Sequence, residues 1–266
     1  MNKQFSFKRF VLLLKQEAVM NNRFYLTFFS VLTVSCCILM FFAISGMGKF
    51  YDEASYVTMM LFFGTIGGLI YGTSAFQETR SSDLLSGYLS QPGSILEKYL
   101  VQFAFKIILF FPILLLSYWI ASNVAWFAVD ATLIKLTSII PRFSFSLLFD
   151  PKIYPVLSKI HGPLDVFVTM LSTLCFAFAG SIFFDRYKLF KTTLLVAGLY
   201  ILDMVVKLML TKFYFPVYAK GLRIKVNEYE SFWNLYNTQW YHYLVGLGGA
   251  LILLFFVYYK LKEKEA

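Results

Sequence analysis

The chain has 266 residues, of which 59% are hydrophobic, 20% are aromatic and 15% are charged. Average soluble proteins carry about 25% charged residues, so this composition and a mean hydropathy of +0.66 exclude a soluble globular protein and indicate a membrane protein. The net charge of +9 comes from 24 basic and 15 acidic residues. In a membrane protein such an excess reflects topology and contact with anionic lipid headgroups, and we expect no nucleic-acid partner.

Residues 1–23 combine basic side chains with apolar residues at helical spacing. The basic residues are Lys3, Lys8, Arg9, Lys15 and Arg23. The apolar stripe consists of Phe7, Phe10, Val11, Leu14 and Ala18. This pattern predicts an amphipathic helix that lies in the membrane interface, with Leu12 and Leu13 outside its apolar stripe.

Six later segments are long and apolar enough to cross about 30 Å of hydrocarbon. The predicted spans are 24–45, 56–76, 107–129, 166–184, 192–211 and 241–259. We therefore predict an all-α membrane protein with a single transmembrane domain over residues 1–266.

The basic residues divide unequally between the two sides of the predicted bundle. The segments on the side of the N-terminus are 1–23, 77–106, 185–191 and 260–266, and they hold 14 Lys and Arg. The opposite segments are 46–55, 130–165 and 212–240, and they hold 9, while each side carries seven acidic residues. The positive-inside rule then predicts that both termini and segment 77–106 are cytoplasmic.

Two spans contain residues that affect helix packing. Gly64, Gly68 and Gly72 recur every four residues in the second span, which allows another helix of this chain or of a second subunit to approach closely. Pro112 in the third span predicts a kink or locally relaxed packing.

Polar or aromatic residues mark three further regions. Asp203 and Lys207 lie four apart in the fifth span and predict an intramembrane charged pair, either structural or facing a substrate. The outer segment 130–165 contains apolar stretches such as 143–149 and four interrupting prolines, and the outer segment 212–240 is rich in aromatic residues. We expect both segments to form interfacial or re-entrant structure at the outer leaflet.

The sequence offers little catalytic chemistry. Residues 46–49 resemble the end of a phosphate-binding loop, but Ala43 and Phe50 stand where that pattern needs glycine and Ser or Thr. His161 and His242 have no neighbours at metal-ligand spacing, and the three cysteines lie within apolar segments. We therefore predict that the chain is not an enzyme and binds no metal and no nucleotide of its own.

The polar segment 77–100 separates the second and third spans. Ser81 or Ser82 can cap a short helix that has Leu84, Leu85, Tyr88 and Leu89 on one face. The sequence Gln91-Pro92-Gly93 ends that helix. Residues 94–97 then form a capping box that begins a second helix.

These residues resemble the cytoplasmic coupling segment of the ABC-2 type permeases of ABC transporters. The matching pattern is Arg80, Leu84-Leu85, Leu89-Ser90-Gln91-Pro92, Ser94 and Glu97-Lys98. Six spans, an N-terminal amphipathic helix and the short basic turn 185–191 agree with that family, whereas the long outer segment 130–165 departs from it. The resemblance assigns contact with an ATPase to Arg80, Asp83, Leu84, Leu85, Tyr88, Leu89, Pro92, Ser94 and Glu97.

The resemblance implies the membrane subunit of an ABC exporter in the plasma (inner) membrane, with no cofactor of its own. Its partners would be membrane lipids, a second permease copy or paralogue, and cytoplasmic ATPase subunits that bind ATP. Two alternatives remain open. The chain could be an integral-membrane enzyme that acts on lipids through the aromatic outer segments and the pair Asp203 and Lys207, or an ion-coupled secondary transporter with Asp203 as its proton or sodium site. The sequence lacks the inverted repeat that favours the latter.

Overall fold

The computed structural model describes residues 5–47, 51–76, 93–132, 142–150, 162–184, 186–214 and 239–265. Regular structure in these residues is helical throughout, which confirms the all-α prediction. The helices are α1 (Phe7–Met20), α2 (Asn22–Met47), α3 (Glu53–Thr73), α4 (Ile95–Phe103), α5 (Phe110–Thr132), α6 (Pro163–Phe183), α7 (Lys188–Tyr214) and α8 (Gln239–Glu265). A π-helical turn, Ala104–Ile108, joins α4 to α5, and a short 3-10 helix, Phe145–Phe149, lies between α5 and α6.

Four of the described helical stretches are long and apolar enough to cross a membrane. They are α2, α3, the continuous stretch Ile95–Thr132 and α6, and they correspond to the first four predicted spans. The fifth and sixth predicted spans fall within α7 and α8. A membrane-embedded helical protein is therefore supported, and the count of six spans stays a prediction.

Local sequence signals account for several helix ends. Asp52 caps α3, because its Oδ1 accepts a 2.9 Å hydrogen bond from the Ser55 backbone N–H. Pro163 occupies the first turn of α6, where the absence of an N–H costs no helical hydrogen bond. A single residue, Asn21, separates α1 from α2, so the N-terminal helix is attached directly to the first predicted span.

Helix α6 is the centre of the bundle and packs against α3, α7 and α8, while α2 packs mainly against α5. The glycine stripe of α3 lies at its contact with α6. A Cβ on Gly72 would lie 2.6 Å from the Ala177 Cβ, and one on Gly64 would overlap Met170. At Gly68 the nearest atom would be at 3.6 Å, an ordinary contact. The stripe therefore brings two helices of the same chain together.

The 38-residue stretch Ile95–Thr132 is about 57 Å long at 1.5 Å per residue, whereas the hydrocarbon needs only about 30 Å. The predicted span 107–129 covers that thickness, so α4 extends beyond it on the side of segment 77–92. The π turn lies at the boundary, and the Leu109 N–H donates to the Ala104 carbonyl at 3.0 Å. Pro112 follows at once and cannot donate to the Ile108 carbonyl. The irregular turn thus precedes the proline, which itself lies within the regular helix α5, and the predicted kink at Pro112 stays a prediction.

Candidate functional site

Both points at which segment 77–92 joins the described helices lie at one end of the bundle. We call it the inner end, because the charge distribution predicts that it is cytoplasmic, and we call the opposite end the outer end. Seven of the predicted coupling residues lie outside the described residues, namely Arg80, Asp83, Leu84, Leu85, Tyr88, Leu89 and Pro92. Ser94 and Glu97 are described and lie at the start of α4. The flanking residues Phe76 and Gly93 fix where the segment leaves and rejoins the bundle.

Glu97 is fully buried and accepts hydrogen bonds from two distant parts of the chain. Its Oε2 accepts from the Ser94 N–H at 2.8 Å, while the Ser94 hydroxyl accepts from the Glu97 N–H at 3.3 Å, which confirms the capping box. Its Oε1 accepts from the Ser6 N–H at 2.6 Å and from the Arg9 guanidinium at 3.1 Å. We call Ser6, Arg9, Ser94 and Glu97 the Glu97 cluster. It joins the beginning of α1 to the beginning of α4.

Electrostatics favour the ionised form of Glu97, which lies ten residues before the predicted span 107–129. Desolvation by burial raises the pKa of this carboxyl, but the donors of Ser6, Ser94 and Arg9 outweigh it, and the net pKa is lowered from its ordinary value of 4.5. The cluster therefore contains a carboxylate and a guanidinium in contact, and charge-assisted hydrogen bonds of this kind are stronger than neutral ones.

Gly93 permits the close approach of α1 to α4. A Cβ at this position would lie 3.0 Å from the Leu13 Cδ1 and 3.3 Å from the Glu97 Oε2. Leu13 is buried here, although the predicted apolar stripe of α1 omits it. Phe7 and Ala18 of that stripe are exposed. Helix α1 thus has one face against α4 and an apolar face turned away from the bundle.

The other end of segment 77–92 is fixed at Phe76. This residue adopts a left-handed conformation with a φ of 48°, which is unusual for a bulky side chain. Its buried ring packs against Phe178, with centroids 5.2 Å apart, and its carbonyl accepts a 3.0 Å hydrogen bond from the Lys188 ammonium. Lys188 belongs to the predicted basic turn 185–191, so that turn contacts the residue from which the polar segment departs.

Between these two points lies a polar and aromatic group that we call the junction cluster. Its members come from α1, α2, α3 and the π turn, and they are Glu17, Phe24, Tyr25, Tyr71, Ser74, Phe105 and Lys106. Glu17 is buried, and its Oε1 accepts from the Tyr25 hydroxyl and from the Asn21 amide, both at 2.9 Å. Tyr25 therefore connects α1 with the rest of the cluster.

Lys106 lies at the centre of the junction cluster and is only 3% exposed. Its ammonium lies 4.4, 5.0 and 5.1 Å from the ring centroids of Phe24, Tyr25 and Tyr71, and it donates to the Ser74 hydroxyl at 3.1 Å. Three rings around one ammonium are a strong cation–π arrangement. In the sequence, Lys106 is distinguished only as one of the basic residues of segment 77–106. The available signal was a lysine at the edge of a span in a chain rich in aromatic residues.

The π turn itself is fixed by two tyrosines of the cluster. The Tyr71 hydroxyl donates to the Phe105 carbonyl at 2.9 Å, which satisfies a backbone acceptor in the irregular stretch. The Tyr25 ring stacks on the Phe105 ring, with centroids 5.4 Å apart and an interplanar angle of 14°. The π turn therefore contacts both α2 and α3 through specific side chains.

The outer end is built differently. The Phe143 ring is buried within 5.5 Å of the ring centroids of Tyr56 and Tyr118, and the Tyr118 hydroxyl donates to the Tyr56 carbonyl at 2.6 Å. Arg142 donates to the Asn123 Oδ1 at 2.8 Å. The described part of the long outer connection, residues 142–150, thus inserts an aromatic side chain into the bundle.

The predicted intramembrane charged pair lies on a single helix. Asp203 and Lys207 lie on α7, and their side chains are outside the described part of the chain. Within the described residues, no group of His, Cys, Asp and Glu is arranged to hold a metal ion. Comparisons with family models, curated proteins and solved structures find no match to this chain.

Proposed function

We propose that this chain is the membrane subunit of an ATP-driven exporter of the ABC-2 permease type. One observation carries the proposal: both ends of the polar segment that resembles a coupling segment are joined to other helices by specific polar contacts. The Glu97 cluster joins the end of the polar segment, at residue 93, to α1. Lys188 joins the beginning of the polar segment, at Phe76, to α7. A segment that receives force from a partner needs such connections if the force is to reach the spans.

The force would pass along two routes. Helix α4 continues through the π turn into α5, so a displacement of segment 77–100 reaches the third span through the π turn. Arg9 and Ser6 pass the same displacement to α1, which is attached to α2 through Asn21. The sequence lacks a phosphate-binding loop, so in this proposal the energy comes from ATP bound to a separate subunit.

The proposal includes an assembly and a location. The chain would pair with a second copy or a paralogue in the plasma (inner) membrane, with both termini and segment 77–106 in the cytoplasm and an ATPase bound there. The described helices present many large apolar side chains on the surface of the bundle, among them Phe42, Phe127 and Phe255, as contact with lipid requires.

The test begins with the tagged chain, purified from its native membrane in mild detergent, and with identification of what co-purifies. We expect a stoichiometric ATPase whose hydrolysis is coupled to transport after reconstitution into vesicles. Replacement of Leu84, Leu85 or Leu89 by Ala should uncouple hydrolysis from transport. The matched control is Leu251→Ala on α8, where the leucine is 68% exposed and coupling should persist.

Three results would count against the proposal. Unchanged coupling in all three leucine variants would remove the role of segment 77–100. Turnover of a lipid by the purified chain without any ATPase would favour the membrane-enzyme alternative. Transport that follows an ion gradient and survives ATP depletion would favour a secondary transporter, and Asp203→Asn would then be the next variant.

A further inference from the structure

We propose that the π turn, Ala104–Ile108, is the hinge of the long helix that links the cytoplasmic segment to the third span, and that Lys106 is the residue that positions it. The hinge itself is independent of the proposed function. The role of Lys106 in coupling rests on that function. The inference is carried by the contacts of the junction cluster.

The regular hydrogen bonding of the long helix is interrupted at the π turn and at Pro112. The π turn replaces the regular hydrogen bond of the α-helix by one between Leu109 and Ala104, and such turns are frequent at functional positions. Pro112 removes a further donor, the one that would pair with the Ile108 carbonyl. Kinks and hinges in long helices occur where the ladder is interrupted in this way. Two interruptions within nine residues mark the place where α4 can reorient relative to α5.

Side chains of α2 and α3, and of the residue that follows α3, contact the π turn. Tyr71 on α3 donates to the Phe105 carbonyl, and Ser74, just after α3, accepts from Lys106. Tyr25 on α2 stacks on Phe105. The conformation of the π turn therefore depends on where α2 and α3 lie, rather than on the helix alone.

The contacts of the Lys106 ammonium fix the position of the π turn. A buried ammonium is costly unless hydrogen bonds and ring faces replace its water, so Lys106 holds the π turn where its ammonium meets Ser74 and the three rings. Tyr25, one of those rings, donates its hydroxyl to Glu17 on α1. A shift of α1 or α4 would move the rings away from the ammonium, and the π turn would lose its fixed geometry. Lys106 thus couples the position of α1 to the angle between α4 and α5.

The test measures the helix directly. In the full chain, with its three native cysteines replaced by Ala, spin labels are placed at Leu96→Cys and Leu116→Cys, exposed positions on either side of the π turn. Their backbones are separated by about 30 Å for 20 residues of helix, which is suitable for pulsed electron paramagnetic resonance. We expect a narrow distance distribution in the parent protein. Lys106→Met should broaden and shift it, because methionine fills the space without the charge.

Three further variants make the result specific. Lys106→Arg retains a cation over the rings and should restore the narrow distribution. Lys262→Met removes an exposed lysine of α8 and should leave the distribution unchanged. Ser74→Ala removes only the hydroxyl acceptor and should broaden the distribution less than Lys106→Met. If Lys106→Met does not fold, Ser74→Ala decides: an unchanged distribution in that variant overturns the proposal.

A second measurement separates the hinge from the proposed function. In vesicles that contain the co-purified ATPase, Lys106→Met should lose transport per ATP hydrolysed while hydrolysis continues, and Lys106→Arg should recover it. A broadened distribution with unchanged transport per ATP would overturn the positioning role of Lys106. If no ATPase associates, the proposed function fails, and the distance measurement alone still supports or overturns the hinge. An unchanged distribution in Lys106→Met overturns it in every case.

Discussion

The two ends of the bundle are held by different kinds of contact. At the inner end, charged groups make hydrogen bonds between residues far apart in sequence: Arg9 with Glu97, Lys188 with the Phe76 carbonyl and Lys106 with Ser74. At the outer end, the buried Phe143 ring makes tilted and edge-on contacts with Tyr56 and Tyr118, beside the hydrogen bonds of Tyr118 and Arg142. The two ends therefore differ in the chemistry of the contacts between their helices.

The inner end is the better suited of the two to transmit a displacement. Hydrogen bonds to charged groups depend steeply on distance and angle, so the inner contacts define relative helix positions closely. Aromatic packing is stabilising over a wider range of geometries and excludes water, so the outer contacts are suited to closing the bundle. In the proposed exporter, the inner end would respond to the ATPase and the outer end would act as the barrier. Each prediction below changes one contact at one end, or in the helix that joins them.

The largest effect is expected at the outer end, from Phe143→Ala. The ring is 3% exposed, and truncating a buried phenylalanine costs about 3–5 kcal/mol. The measurement is the free energy of unfolding in detergent micelles. Phe149→Ala, only six residues away but 72% exposed, is the control and should change the free energy by less than about 0.5 kcal/mol. Equal effects of the two substitutions would mean that Phe143 does not pack into the bundle.

The next effect concerns α3, the helix that runs between the two ends. Gly72→Ala forces a Cβ to within 2.6 Å of Ala177 and 3.0 Å of the Leu174 carbonyl, and overpacking of this kind costs about 1–3 kcal/mol. Gly68→Ala has ordinary contacts only and should stabilise the helix by about 1 kcal/mol, since alanine is the better helix former. Thermal unfolding of the two variants should therefore shift in opposite directions. Shifts of the same sign would contradict the close approach of α3 and α6.

Glu97→Gln tests the charge at the inner end. The neutral amide has one acceptor oxygen in place of the two carboxylate oxygens that accept from Arg9 and the two backbone N–H groups, and we expect a loss of about 1.5 kcal/mol. Glu263→Gln, in an exposed pair with Lys260, is the control and should have little effect. For both variants we measure the free energy of unfolding. We also compare the rate of protease cleavage between α1 and α2 with the rate in the parent.

The same carboxyl predicts a pH dependence. Because the folded protein lowers the pKa of Glu97 below 4.5, its stabilising contribution is fully present above that value and is lost as the pH falls through the folded pKa. The difference in stability between the parent and Glu97→Gln should therefore narrow below pH 4.5. A difference that stays constant there would show that the charge of Glu97 does not stabilise the inner end.

The sequence alone was sufficient where structure depends on neighbours along the chain. Long apolar segments predicted helices at all six positions where they occur, although only four of them meet the criteria for a span among the described residues. The Ser94–Glu97 capping box follows from residues three positions apart. Such patterns are encoded locally, by backbone hydrogen bonds that a side chain supplies or removes.

The candidate site was not predictable in the same way, because its contacts join residues far apart in sequence. Glu97 was predicted to pair with Ser94, but its bonds to Ser6 and Arg9 cross 91 and 88 residues. The setting of Lys106 depends on rings at 24, 25 and 71, whose spacing has no helical or strand period. A single sequence shows that such residues exist but not which of them meet. The short helix predicted around Leu84 to Leu89 lies outside the described residues and stays a prediction.

The smallest effect distinguishes the π turn from the packing around it. Tyr71→Phe keeps the ring beside Lys106 and removes only the hydroxyl that donates to the Phe105 carbonyl, so the expected loss is about 1 kcal/mol of unfolding free energy. Tyr259→Phe, on the exposed side of α8, should change it much less. The decisive measurement is hydrogen exchange of the amides at 104–109, which should quicken in Tyr71→Phe while exchange at the outer end stays as in the parent. If exchange quickened equally at both ends, the hydroxyl would stabilise the bundle as a whole. Single polar contacts at the inner end would then not set the angle of a helix.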